Sequence, residues 1–111
     1  MTNLRALTPP YYAVIFSSQR KPADGEEYAK TAEYMETLAK TMPGYLGIES
    51  ARGESGLGLT ISYWESEEAI ANWKKQVDHQ EAQRRGRTEW YETYDVRVAR
   101  VERAYSMKKA R

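Results

Sequence analysis

The stretch YYAVIFSS (Tyr11 to Ser18) is a nearly unbroken run of β-branched and aromatic residues of strand length. Its apolar side chains fall on both faces, so it must be covered twice, which makes it a central strand and not an edge. The rest of the chain has to supply strands to flank it and helices to lie over it. After a polar loop, QRKPADG, Asp24 and Glu27 form a capping-box-like start to a helix. Tyr28, Ala32, Met35, Ala39 and Met42 then recur at spacings of three and four, a single helical stripe that Pro43 and Gly44 end.

Two further runs, YLGIESAR (Tyr45 to Arg52) and LGLTISYW (Leu57 to Trp64), flank GESG and read as an antiparallel hairpin. Strand alternation puts Leu57, Leu59, Ile61 and Tyr63 on one face and Gly58, Thr60, Ser62 and Trp64 on the other. Ser66 is placed to cap a second helix, with Glu67 and Glu68 in its first turn, where negative charge suits the helix dipole. Ala69, Ile70, Trp73 and Val77 form the buried side of that helix, and Arg84 and Arg85 precede Gly86 at its end. The last segment, ETYDVRVARVERAY (Glu92 to Tyr105), alternates as a long strand whose apolar residues change face midway. That change implies a bulge, or a strand end packed on something beyond its own sheet.

Strand, helix, strand, strand, helix, strand, joined by right-handed crossovers, is the ferredoxin-like βαββαβ arrangement of the α+β class. Both helices lie on one face of a four-stranded antiparallel sheet. The other face has no cover within the chain. Left wet, it would expose more apolar area than a soluble monomer usually tolerates, so a second copy is expected to cover it.

Composition narrows the function classes. With 111 residues the chain is expected to be a single domain, residues 1–111, with a core from about 11 to 105 and a basic, frayed tail from Met107 to Arg111. Lysine plus arginine (17) nearly balance aspartate plus glutamate (16), so no global field draws the chain to nucleic acid or to an anionic membrane. The absence of cysteine excludes disulfides, thiolate metal sites and a cysteine nucleophile. No apolar run is long enough for a membrane span, and the expectation is a cytoplasmic protein. Nine tyrosines and three tryptophans against one phenylalanine are unusual, because these rings bury area while presenting a polar tip.

His79, the sole histidine, is the side chain best suited to take a phenolic proton near neutral pH. On one straight helix it lies about 120° around the axis from Trp73, so it can face a cavity under that helix only if the helix breaks between Lys74 and Asp78. Otherwise it is a solvent-facing structural histidine. Trp73 is suited to a helix-on-sheet seam. Trp64 shares its strand face with small residues, which leaves space of the kind a planar ligand needs. Arg84, Arg85 and Arg87 could hold a carboxylate, or could simply offset the helix dipole and pair with Glu81 and Glu89. No phosphate-binding loop, dinucleotide fingerprint, serine triad or metal cluster is present in the sequence.

The segments MPGYLGIESAR, YWESEEAIANWK and RRGRTEWYETYDVRVARVERAY resemble the antibiotic biosynthesis monooxygenase family of dimeric α+β barrel proteins. The resemblance implies a homodimer whose two sheets pack into a barrel, with a cavity between each sheet and its helices. It also implies a monooxygenase acting with molecular oxygen on a small aromatic or phenolic molecule and without a cofactor. His79 would be the catalytic base, with Trp64, Trp73, Tyr63, Tyr94 and Arg87 binding substrate. The alternative is a non-catalytic dimer that binds a small ligand, haem among them, or serves as an interaction module. The haem-degrading branch uses a first-strand asparagine, which YYAVIFSS lacks. Its histidine also lies further beyond the tryptophan than the six residues from Trp73 to His79, so haem degradation is expected to be weak or absent.

Overall fold

A computed structural model describes residues 4–20, 36–84 and 91–107, with side chains given for these apart from positions 5, 20, 78–84 and 91–94. A short 3-10 turn, Leu4–Ala6, leads into β1 (Tyr11–Arg20). Residues 36–40 are helical and constitute the described part of α1. Then follow β2 (Tyr45–Arg52), β3 (Leu57–Trp64), α2 (Glu67–Arg84) and β4 (Tyr91–Val101). The strands form one sheet in the order β2-β3-β1-β4 with every neighbouring pair antiparallel, so the two-faced run does lie centrally. This is the ferredoxin-like α+β arrangement. The capping-box residues Asp24 and Glu27, and most of the stripe after them, lie outside the described residues.

Local chemistry accounts for the joints. Where α1 ends, Gly44 takes φ +86°, a conformation that costs glycine little and other residues more. The Gly44 carbonyl accepts from the Glu65 amide at 2.8 Å, tying this turn to the far end of β3. A Cβ at Gly44 would come within 2.5 Å of the Ala69 Cβ, so glycine is needed for space as well as for φ. The Ser66 hydroxyl accepts from the Ala69 amide at 3.1 Å, the cap the sequence implies for α2. In the β2–β3 turn, Gly53 donates to the Leu57 carbonyl at 2.8 Å and Gly56 has φ +94°.

The core joins the helices to one face of the sheet. Val14, Ala39, Trp64, Ala69 and Ile70 are buried together, with Tyr12, Met42, Tyr45 and Trp73 packed against them half-buried. Val77 is also buried, which completes the expected inner side of α2.

β4 departs from expectation in two ways. Its irregularity is not midway: the register shifts where Gln19 and Arg20 pair with Thr93 and Tyr91, leaving Glu92 as the extra residue near the start of the strand. The strand also stops at Val101 and not at Tyr105, because Val101 already pairs with Tyr11, the first residue of β1, and no partner backbone extends further. Residues 95–100 are exposed on both faces of β4. Among the described residues no helix is long and apolar enough to cross a membrane.

Candidate functional site

The candidate site is the aromatic cluster between the helices and the covered face of the sheet. It begins with a register irregularity. Trp64 pairs with Tyr45 while the adjacent Tyr63 pairs with Gly47, so Leu46 is bulged out of β2. The bulge brings the Tyr45 ring edge-on to Trp64, with centroids 5.8 Å apart and planes at 82°. From above, α2 lays Trp73 against the same indole, with centroids 5.2 Å apart and planes at 33°. Contacts of this kind contribute about 0.5–1.5 kcal/mol each beyond the area they bury.

The two indoles differ in their polar tips. Trp64 is 0% exposed, and its Nε1–H donates to the Ser62 hydroxyl at 2.9 Å, so its one donor is used inside the fold. Trp73 is half-buried as a residue, yet its Nε1 is shielded from solvent and, among the described residues, has no hydrogen-bond partner. A buried N–H left without an acceptor costs about 1–3 kcal/mol. Nearby, burial and then the negative charge of Glu36 push the Tyr45 hydroxyl above its ordinary value, so it too stays a neutral donor.

Small residues continue the covered face beyond Trp64: Ser62 and Gly58 are buried and Thr60 half-buried, with Ser18 buried opposite Gly58 on β1. The face thus runs from an aromatic end, with a donor to spare, to a narrow strip of hydroxyls and glycine. No group of three or more metal-binding side chains occurs among the described residues.

The other residues singled out from sequence fall elsewhere. Tyr63 is on the opposite face of the sheet from Trp64, edge-on to Tyr11 with centroids 5.8 Å apart, and its hydroxyl donates to Glu49 Oε2 at 2.6 Å. Burial first, then that hydrogen bond and the Glu49 charge, push the Tyr63 hydroxyl well above its ordinary value, so it is a donor and not a base. Tyr94 pairs with Ser18 in the β1–β4 ladder, and its side chain is outside the described residues. Arg87 lies wholly outside them. His79 belongs to α2, which is one continuous helix from Glu67 to Arg84, so the interruption between Lys74 and Asp78 does not occur. The His79 side chain is likewise outside the described residues. Sequence reasoning missed Tyr45 and Glu49 as partners in these clusters; only the strand register brings them in.

Known proteins can be set beside this geometry. The antibiotic biosynthesis monooxygenase profile matches residues 11–85. The uncharacterized protein YqjZ of Bacillus subtilis is 53% identical over 95 residues, covering 86% of this chain and 82% of its own. The jasmonate monooxygenase ABM of Pyricularia oryzae is 30% identical over 94 residues, covering 81% of this chain but 43% of its own length, so the chain spans less than half of that protein. Among solved structures, SnoaB of Streptomyces nogalater, a cofactor-independent oxygenase, superposes with a TM-score of 0.69 over 86% of this chain and 97% of its own at 12% identity. Protein SO0527 of Shewanella oneidensis gives 0.72 over 85% and 93% at 10% identity. At such identities the structural likeness speaks for the fold, while the profile match and the YqjZ alignment carry the kinship. With most of the sheet, both connecting turns and the Trp64–Trp73 pair inside the matched region, the chain belongs to the antibiotic biosynthesis monooxygenase family.

Proposed function

We propose that the protein is a monooxygenase of this family's type, acting with molecular oxygen and no resident cofactor on a small, flat, electron-rich molecule such as a phenol or anthrone. The observation that carries this reading is the solvent-shielded Nε1–H of Trp73, which has no partner among the described residues, beside the packed Trp64 ring. An aromatic substrate lying near these rings would place a carbonyl or phenolate oxygen on that donor, which stabilises the negative charge that develops when a proton is removed. The resulting carbanion passes an electron to oxygen. Recombination and loss of water then turn a ring methylene into a carbonyl, with one oxygen atom in the product and the other in water. His79 is the candidate base, since imidazole titrates near neutral pH. Tyr94 and Arg87 are candidate contacts for the far side of the substrate. A second copy covering the open face of the sheet completes the assembly, as a homodimer.

The continuous course of α2 supports a second reading. Position 79 lies about 120° around the helix axis from position 73, and the same cluster then binds an aromatic ligand without using His79 for chemistry. An oxygen electrode separates the two. Metal-free protein given a panel of phenols and anthrones should consume oxygen with at least one of them, and His79→Ala should abolish uptake while leaving the melting temperature unchanged. Ligand binding without oxygen uptake would favour the second reading.

A further inference from the structure

The sheet face that carries no helix is patterned to receive a second copy in one orientation. Following the strand registers across that face from β2 to β4, one row reads Glu49, Ile61, Ile15, Arg97. Opposite charges stand at the two edges, both side chains exposed, with apolar residues between them. In the next row the large Tyr63 lies beside the small, buried Ala13. Leu59 and Leu57, further along, are 40% and 56% exposed, which is uncovered apolar surface in the middle and at the end of the sheet.

We propose that two copies pack these faces together about a two-fold axis parallel to the strands, so that Glu49 of each copy pairs with Arg97 of the other. This rests on the reading that a second copy covers the face. Such an axis lays β2 over β4 and β3 over β1 of the partner copy. Glu49 then meets Arg97 twice per dimer, Ile61 meets Ile15, and each Tyr63 meets an Ala13, a large group against a small one. An axis running across the strands instead lays β2 on β2 and β4 on β4. Centred on the charged row, it sets like charges together; shifted to bring Arg97 over Asp95, it stacks Tyr63 on Leu57. Packed sheets lie about 10 Å apart, a gap that a glutamate and an arginine reaching from opposite sides can bridge. Glu49 is also held in place beforehand, because Tyr63 donates to one of its carboxylate oxygens at 2.6 Å. A guanidinium and a carboxylate at the rim of an interface fix its register more than its affinity, and like charges placed there are strongly unfavourable.

The test is a charge swap on the full chain, read by sedimentation velocity over a dilution series, with circular dichroism melts to confirm folding. Glu49→Arg alone and Arg97→Glu alone should each raise the dimer dissociation constant by about tenfold or more. The double variant, and an equimolar mixture of the two single variants, should return it to within about threefold of the parent. Glu49→Gln and Arg97→Gln, milder changes, should weaken the dimer less than the reversals if either reversal fails to fold. A parent dimer indifferent to the single reversals, or a double variant no better than the singles, overturns the pairing while leaving the dimer in place. A parent that stays monomeric overturns both.

Discussion

Both faces of the sheet carry aromatic clusters, which differ in what they leave unfinished. On the covered face, Trp64, Trp73 and Tyr45 are packed under the helices and the shortfall is polar: one shielded indole N–H without an acceptor among the described residues. On the open face, the Tyr63 hydroxyl is matched to Glu49 and the shortfall is apolar: Leu57 and Leu59 are left in water. A missing acceptor calls for a small molecule that brings one oxygen. Missing apolar contact calls for a large surface. On the reading proposed above, one face of the fold takes a ligand and the other a second copy of the chain.

The comparison is broken most severely at Trp64. Trp64 is the largest fully buried side chain among the described residues, and Trp64→Ala should destabilise the fold by about 3–5 kcal/mol in urea denaturation, since the covered face would lose its centre. A loss below about 1 kcal/mol would mean that the cluster is not the core it is taken to be. Next in size is Gly44→Ala, which meets both a positive φ and the Ala69 methyl; about 1–3 kcal/mol is expected from the same measurement. Should Gly44→Ala be neutral, the tie between the α1 turn and α2 does not constrain the site.

On the open face the largest expected effect is on association. Leu59→Asp places a charge in the proposed seam, and light scattering should show a dimer shifted toward monomer with little change in the protomer's own melt, because Leu59 is already substantially exposed there. The smallest effect is on the pH dependence of stability. Tyr63 is held protonated in the fold, above the ordinary value of 10.0 that applies to the unfolded chain. Below pH 10 both states are protonated and its stabilisation is complete; as pH rises above 10 the unfolded chain ionises first and stability falls. Denaturation between pH 8 and about 11 should show that decline, and Tyr63→Phe should flatten it. An equal slope in the variant would leave the Tyr63–Glu49 hydrogen bond without thermodynamic weight.

Much of the fold was legible because it is written locally. The bounds of β2 and β3, the Ser66 cap and the glycine that ends α1 all follow from residues within a turn or two of where they act. The central place of β1 followed from its two apolar faces. What was not legible depends on strand register. Tyr45 reaches Trp64 only because Leu46 is bulged, and Glu49 reaches Tyr63 only because the hairpin pairs Gly47 with Tyr63, neither of which periodicity records. The end of β4 is similar: its alternation runs on to Tyr105, but a strand stops where its partner stops, and β1 begins at Tyr11. Sequence assigned Trp73 to the helix–sheet seam and gave Trp64 the space a ligand needs, whereas Trp64 is fully buried with its N–H on Ser62 and the Trp73 N–H has no partner among the described residues.

The central claim, that the covered face binds a ligand through the Trp73 donor, is tested most directly by Trp73→Phe, which keeps a ring in the cluster and removes the N–H. Absorbance titration of parent and variant with a phenolic or anthrone ligand found in the oxygen screen should show the variant binding about five- to tenfold more weakly, the worth of one hydrogen bond. Its unfolding free energy should be within about 1 kcal/mol of the parent's, since the N–H has no partner among the described residues. Equal affinity in parent and variant would contradict the claim and leave Trp73 as packing alone.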